Sequence, residues 1–321
     1  MRLVRIQGVD LNLFDFDFDL TWVAFFMSAN EKVYGRYGGR DAGSAESRLS
    51  LAGLNYAMKL ALKTHQREAD VKPEARPAKP LFVDDYPAAK RRIHNDCIHC
   101  HQVWEYRRDE WKSNGEWSKD KVWVYPLPEN VGITLDVDRT DRVKSVKPGS
   151  PVDKAGLKVG DALHGLNGMP AVTFLDAQFA LNQAPAKGRI SITWKRDGKP
   201  MTGVLELPEG WRKTNLTWRP SMLDILPSLS LYGEDLTAKE KQALGLPERH
   251  LAFRQDKTVH RDAKAAGVEP GDIILGMDNV AFDMTMLEFL GFVRKNYLVG
   301  DKITLNVLRN GKKIDLPVTL K

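Results

Sequence analysis

One stretch of this sequence occurs twice at a fixed separation, and that repeat limits the fold more than any other feature. Ser150-Pro151-Val152-Asp153-Lys154-Ala155-Gly156-Leu157-Lys158-Val159-Gly160-Asp161 is matched by Asp262-Ala263-Lys264-Ala265-Ala266-Gly267-Val268-Glu269-Pro270-Gly271-Asp272. Gly156 pairs with Gly267, Asp161 with Asp272 and Asn167 with Asp278, each at an offset of 111 (267 − 156, 272 − 161, 278 − 167). Arg196-Asp197-Gly198-Lys199 and Arg309-Asn310-Gly311-Lys312 follow at an offset of 113 (309 − 196). A constant offset over so many positions marks two copies of one supersecondary unit.

Each copy reads alike. The glycine of Ala-Gly ends a short helix, and Gly-Asp turns the chain into a strand. A tight turn follows at Asn167-Gly168 or Asp278-Asn279, then an amphipathic helix at 174–182 or 285–295. Hairpins are predicted at Asp197-Gly198 and Asn310-Gly311. The expected cores contain Ile133, Leu135, Val143, Leu157, Leu163 and Leu166 in the first copy. In the second they contain Phe253, Val268, Ile273, Ile274, Leu287, Phe289 and Leu305.

With 321 residues the chain exceeds one ordinary domain. The fold class is α+β: a partial α/β segment at 1–68, a linker at 69–81, a short helical region at 82–128, and the two copies at 129–210 and 228–321. In the first segment, Leu20 to Ser28 reads as a strand and Lys32 to Tyr37 as its return. A helix capped by Ser44 or Ser47 runs to about Thr64, with Leu51, Leu54, Ala57, Met58, Ala61 and Leu62 on one face. Phe14, Phe16, Phe18, Phe25 and Phe26 are its expected core. Pro73, Pro77 and Pro80 stiffen the linker. Residues 87–112 can again be helical, with Ile93, Cys97, Cys100 or His101, and Trp104 on one side.

The net charge is +6, but Lys and Arg are scattered among acids, and Lys90-Arg91-Arg92 is the densest cluster. No aromatic-basic motif accompanies it, which argues against a nucleic-acid partner. No apolar run approaches the roughly 18 residues of a membrane helix. No Gly-x-Ser-x-Gly elbow occurs, so the sequence is not read as a serine protease. Met1 is followed by no leader pattern of charged, apolar and cleavable segments.

The chain has two cysteines, Cys97 and Cys100, in Cys97-Ile98-His99-Cys100-His101. One pair cannot make a disulfide framework, so it reads as chemistry. The C-x-x-C-H spacing suits haem c: two thioethers grip the macrocycle, and His101 is the metal ligand on its axial side. The same residues suit a thiol/disulfide redox pair. With His94 they suit a structural metal site. A reduced pair without a role is the fourth reading. Trp104, Trp111, Trp117 and Trp123 either wall a haem pocket or anchor a small core.

The pattern SPxxxAGLxxGDxxxxxNG of the first copy resembles the PDZ domains of bacterial periplasmic proteins, including the high-temperature-requirement proteases. The second copy departs from it at Arg261-Asp262 and Asp278-Asn279. The resemblance implies a groove that takes an extended chain end by strand addition, with the carboxylate on backbone N–H groups. Asn130, Val131, Gly132 and Ile133 match that loop in the first copy, and Leu244, Gly245 and Leu246 in the second. Use of the fold as a spacer or dimer surface is the alternative.

The whole chain is similar to the planctomycete-type family of combined thioredoxin-like and PDZ proteins, some of them selenoproteins. The carrying segments are Phe16 to Thr21, Val33 to Asp41, Cys97 to Val103 and the two PDZ signatures. This resemblance implies a partial thioredoxin-like fold over residues 1–66, with Leu20 where those proteins carry a cis-proline. It also implies a start truncated inside that fold, because gene callers begin downstream of an in-frame selenocysteine. The expected function is then an extracytoplasmic redox or electron-transfer protein, with haem c or a dithiol at Cys97, Cys100 and His101. Its PDZ domains would dock protein or peptide C-termini. The alternatives are a non-catalytic PDZ interaction scaffold and an enzyme whose catalytic half lies upstream of Met1.

Overall fold

A computed structural model describes residues 3–68, 79–91 and 97–321. They form two compact units, Met1–Ser221 and Met222–Lys321. No helix among the described residues is long and apolar enough to cross a membrane.

The first unit opens with turns and then an antiparallel hairpin, β1 (Val23–Met27) and β2 (Val33–Gly38), in which Phe25 faces Arg36. Helix α1 (Leu51–Glu68) buries Gly53, Ala57 and Ala61, spaced by four so that small side chains stack on one face. This stripe brings the backbone close. A Cβ on Gly53 would lie 2.2 Å from the Val137 carbonyl oxygen. Tyr34 and His65 tie β2 to α1 through a 2.8 Å hydrogen bond.

Residues 3–68 do not form the expected partial thioredoxin-like sheet. Residues 3–22 contribute no strand, and the hairpin is a two-stranded sheet of its own. The alternation Phe14-Asp15-Phe16-Asp17-Phe18-Asp19 mimics a half-buried strand, but its acids turn inward. Asp17 and Asp19 are fully buried on the guanidinium of Arg219, at 2.7 and 3.0 Å. Ser221 also bonds Asp19 through its amide and hydroxyl.

After two short 3₁₀ turns at Val83–Asp85 and Pro87–Arg91 comes α2 (Gln102–Ser113). The first module then follows. Its elements are β3 (Ile133–Leu135), β4 (Val143–Val146), α3 (Pro151–Lys154), β5 (Ala162–Leu166), β6 (Met169–Pro170), α4 (Phe174–Asn182), β7 (Gly188–Arg196) and β8 (Lys199–Leu207). β3 pairs with β4, and the larger sheet runs β6-β5-β7-β8. All six core residues expected for this copy are buried.

The second unit holds β9 (Gly233–Asp235), α5 (Ala238–Ala243), β10 (Phe253–Gln255), α6 (Arg261–Ala265), β11 (Ile273–Met277), α7 (Met286–Asn296), β12 (Lys302–Arg309) and β13 (Lys312–Thr319). They form one antiparallel sheet in the order β13-β12-β11-β10-β9. Six of its seven expected core residues are buried, but Leu287 is 73% exposed. Phe289 and Val293 take the inner face of α7, and a residue two positions before Phe289 points to the other side of the helix.

One ion pair recurs in both units. Arg196 reaches both carboxylate oxygens of Asp161 at 2.8 Å and the Gly156 carbonyl at 2.7 Å. Arg309 does the same with Asp272 at 2.8 Å and Gly267 at 2.7 Å. The planar guanidinium thus fastens the end of the last-but-one strand to the Ala-Gly helix and the Gly-Asp turn.

Candidate functional site

Among the described residues β4 is the one strand that pairs with β3, which leaves the other edge of β3 as the wall of a groove, and Leu135 at the end of β3 lines one cavity with Phe174 at the start of α4. The four residues singled out in sequence meet at the head of this groove. Asn130 closes a 3₁₀ turn and donates through Nδ2 to the carbonyls of Trp211 and Lys213 at 2.8 and 3.1 Å. Val131 and Ile133 are buried. Between them Gly132 has φ +95°, and a Cβ there would lie 2.1 Å from Ser150 Oγ, so this position requires glycine.

The groove is not open. Between the end of β3 and the start of α4 remains a cavity of about 10 Å³, lined by Leu135, Asp136 and Phe174 but also by Tyr37, Gly38 and Arg48. Arg48 lies 2.8 Å from Glu129 and 4.6 Å from the Phe174 ring centre. Arg36 lies against Asp176 and 3.6 Å above the ring of Phe179. The Arg36 amide donates to Asp176 Oδ1 at 2.8 Å, and the Thr173 hydroxyl donates to the Arg36 carbonyl. Along another side of α4, the Tyr125 amide donates to Asn182 Oδ1, and Gln178 Nε2 donates to the Tyr125 carbonyl, both at 2.9 Å. Helix α4 is therefore covered all round, and even Asp176 and Gln178 are buried. Burial pushes the Asp176 carboxyl up to about 6, although Arg36 pulls the other way through its charge and its amide. Burial likewise raises Glu129 against the attraction of Arg48.

In the second unit the residues named from sequence fall elsewhere. Leu244 caps α5, Gly245 follows it at φ +66°, and Leu246 continues away from the helix. None of them precedes the outer strand, β9. The place that Gly132 holds before β3 belongs to Ser230, at φ +50° between the buried Leu229 and Leu231. The repeat offset hides it. Ser230 lies 98 positions after Gly132 (230 − 132), because α5 and its flanks insert 13 residues (111 − 98) before the matched helix. A serine in a left-handed conformation leaves no glycine to find. β9 is an edge strand, and α7 lies beside it, with the Met286 amide donating to Asp235 Oδ1 at 2.9 Å. Met286 and Leu290 are half-buried on α7.

Cys97 is exposed, Cys100 is half-buried, and both are free thiols. Burial raises the Cys100 thiol. His101 Nδ1 is 2.9 Å from Glu105 Oε1. Trp104 is buried against Phe18 and Tyr125, Trp123 is buried as well, and Trp111 stacks on Trp117. Trp104 and Trp123 thus anchor a small core instead of walling an open pocket. No cluster of three or more His, Cys, Asp or Glu side chains suited to a metal occurs among the described residues. Ile93 and His94 lie outside those residues.

Residues 142–196 match the family model of the PDZ domain. The first module is a PDZ domain. The periplasmic serine endoprotease DegP of Salmonella typhimurium is 36% identical over 77 residues, which is 24% of this chain and 16% of that protein. The periplasmic pH-dependent serine endoprotease DegQ of Escherichia coli is 29% identical over 147 residues, 46% of this chain and 30% of that protein. The chain thus spans less than a third of the length of these two curated relatives. An HtrA-type protease solved with a decapeptide is 20% identical, covering 56% of this chain and 53% of its own, at a TM-score of 0.28.

These relatives correct the functional expectation. They are periplasmic serine endoproteases, neither redox proteins nor non-catalytic scaffolds, and this overturns the redox and scaffold expectations. The planctomycete-type thioredoxin-like family finds no support among them.

Proposed function

We propose that this chain serves extracytoplasmic proteolysis of the HtrA/DegP type, by seizing an extended polypeptide end and presenting it for peptide-bond hydrolysis. The names of the relatives support the compartment and the reaction. One observation supports the mode of capture. Among the described residues no further strand pairs with the outer edge of β9, and α7 beside it carries the half-buried Met286 and Leu290, with the left-handed Ser230 turn at the head of the strand. In this reading the second unit is a second PDZ domain. An extended ligand adds as a sixth strand along β9, its last apolar side chain rests on Leu290, and backbone N–H groups around Ser230 hold the carboxylate.

The test uses the full chain and fluorescent peptides that end in an apolar residue. Leu290→Glu should abolish their binding, and amidation of the peptide end should weaken it by about tenfold or more. A reporter protein carrying the best peptide at its C-terminus should be degraded in the producing cells and persist when the chain carries Leu290→Glu. Binding that ignores both the substitution and the amide, or an unchanged reporter lifetime, would overturn the reading.

A further inference from the structure

The first module poses a separate question, because its helix α4 is covered by its own chain. The filling follows a pattern. Two arginines, Arg36 and Arg48, each sit between a carboxylate and a phenyl ring. For Arg36 these are Asp176 and Phe179, with the guanidinium 3.6 Å from the ring centre. For Arg48 they are Glu129 and Phe174, at 2.8 and 4.6 Å. Both rings and one of the acids belong to α4, and Glu129 stands beside Asn130 at the head of the groove. A guanidinium over an aromatic face, paired with an acid, is a specific cation site, and lysine fits it less well because it lacks the flat fork.

The same charges argue against the ligand that PDZ folds ordinarily take. A terminal carboxylate at the Gly132 turn would meet Glu129, and like charges at close range repel. The neighbouring contacts hold the filling segment as a unit. Asp41 pairs with Arg48 at 2.9 Å, Ser47 donates to Asp41 at 3.0 Å, and the Tyr37 hydroxyl donates to the Ser50 carbonyl at 2.8 Å. Gly38 and Gly39 let the backbone lie against Leu175 and Phe174, since a Cβ on Gly39 would be 2.4 Å from the Phe174 ring.

We infer that the face of α4 in the first PDZ domain, with Glu129 beside it, is an arginine-reading site that the chain's own residues 36–48 occupy at rest, so that an extended, arginine-bearing polypeptide must displace them to bind. The segment acts as an internal competitor. The apparent affinity for an outside ligand is the intrinsic affinity multiplied by the fraction of time the segment is out. This is independent of capture by the second unit, whose groove is lined by apolar side chains.

The experiment titrates the full chain with a fluorescent synthetic peptide of residues 36–48. The wild-type chain should bind it weakly. The double variant Arg36→Gln/Arg48→Gln vacates both clamps and should bind it about tenfold more tightly or better. The same peptide with both arginines replaced by glutamine should not bind, and a peptide offering only an apolar carboxyl end should gain nothing. A folded double variant that gains no affinity for the arginine peptide overturns the inference, as does an equal gain for the carboxyl-end peptide. If the double variant fails to fold, hydrogen exchange on the wild-type chain decides. Saturating arginine peptide should speed exchange of the Arg36 amide by about tenfold, and unchanged protection overturns the inference.

Discussion

Helices α4 and α7 begin in the same way. Thr173 and Thr285 cap them, accepting from the amides of Asp176 and Glu288 at 3.0 and 3.3 Å. At an offset of 112 (285 − 173) their inner faces also agree: Ala177 and Leu181 match Phe289 and Val293, and all four are buried. Their outer faces do not agree. Leu175 is fully buried, and its counterpart Leu287 (287 − 175 = 112) is 73% exposed. The core of the module accounts for the inner face alone. What covers the outer face of α4 is the hairpin and loop that precede the first module in sequence. A repeat therefore fixes how each module holds itself together, while the surface each offers to a ligand depends on what lies outside the repeat.

The strongest way to break this contrast is to release the cover. Arg219 is buried between Asp17 and Asp19 and holds the first residues of the chain to the segment after β8. Arg219→Met strands two buried carboxylates and should cost the first unit ~3–5 kcal/mol. Urea denaturation followed by hydrogen exchange should show the loss in the first unit and an unchanged second unit. Equal loss in both would mean that the cover is not a private feature of the first.

The matched leucines sharpen the contrast further. Leu175 packs against Gly38, at 3.5 Å from where a Cβ on that glycine would stand. Leu175→Ala should cost ~2–4 kcal/mol by leaving a cavity under the hairpin. Leu287→Ala touches an exposed position and should fall within ~0.5 kcal/mol of wild type. Denaturation midpoints of the two variants measure both effects, and similar costs would show that α7 is covered too.

These contrasts mark what could be read from the sequence. Asn167-Gly168 and Asp278-Asn279 look different, yet both turns place two residues at positive φ: +52° and +77° in the first, +53° and +57° in the second. Asp and Asn tolerate that region, so the repeat was legible through the substitution. The Gly-Asp turns, the hairpins and the existence of the two helices were legible for the same local reasons. The covered face of α4 was not. Arg36 and Asp176 are 140 residues apart, and no periodicity links an arginine in a hairpin to an acid on a distant helix. The Phe-Asp alternation misled because period two reads as a strand, whereas Arg219, 200 residues later than Asp19, turns those acids inward.

The smallest expected difference concerns the shared ion pair. Arg196→Lys and Arg309→Lys keep the charge but lose the fork, and with it the contact to the Gly156 or Gly267 carbonyl. Each should cost ~1–2 kcal/mol, the net worth of one or two such hydrogen bonds, and the two costs should agree. Unequal costs would show that the two modules only look alike at this point. Acid adds a second measure in the first unit. Burial works to raise the Asp161 carboxyl, but the Arg196 hydrogen bonds, the Lys158 amide and the Arg196 charge together overcome it and hold the group below the ordinary carboxylate range. A lowered carboxylate stabilises the folded state fully above its unfolded value, and that contribution is lost as pH falls through the folded value. The first unit of the wild-type chain should therefore lose more stability on acidification than the same unit carrying Asp161→Asn. Parallel acid titrations of the two proteins would remove Asp161 from the account of acid sensitivity.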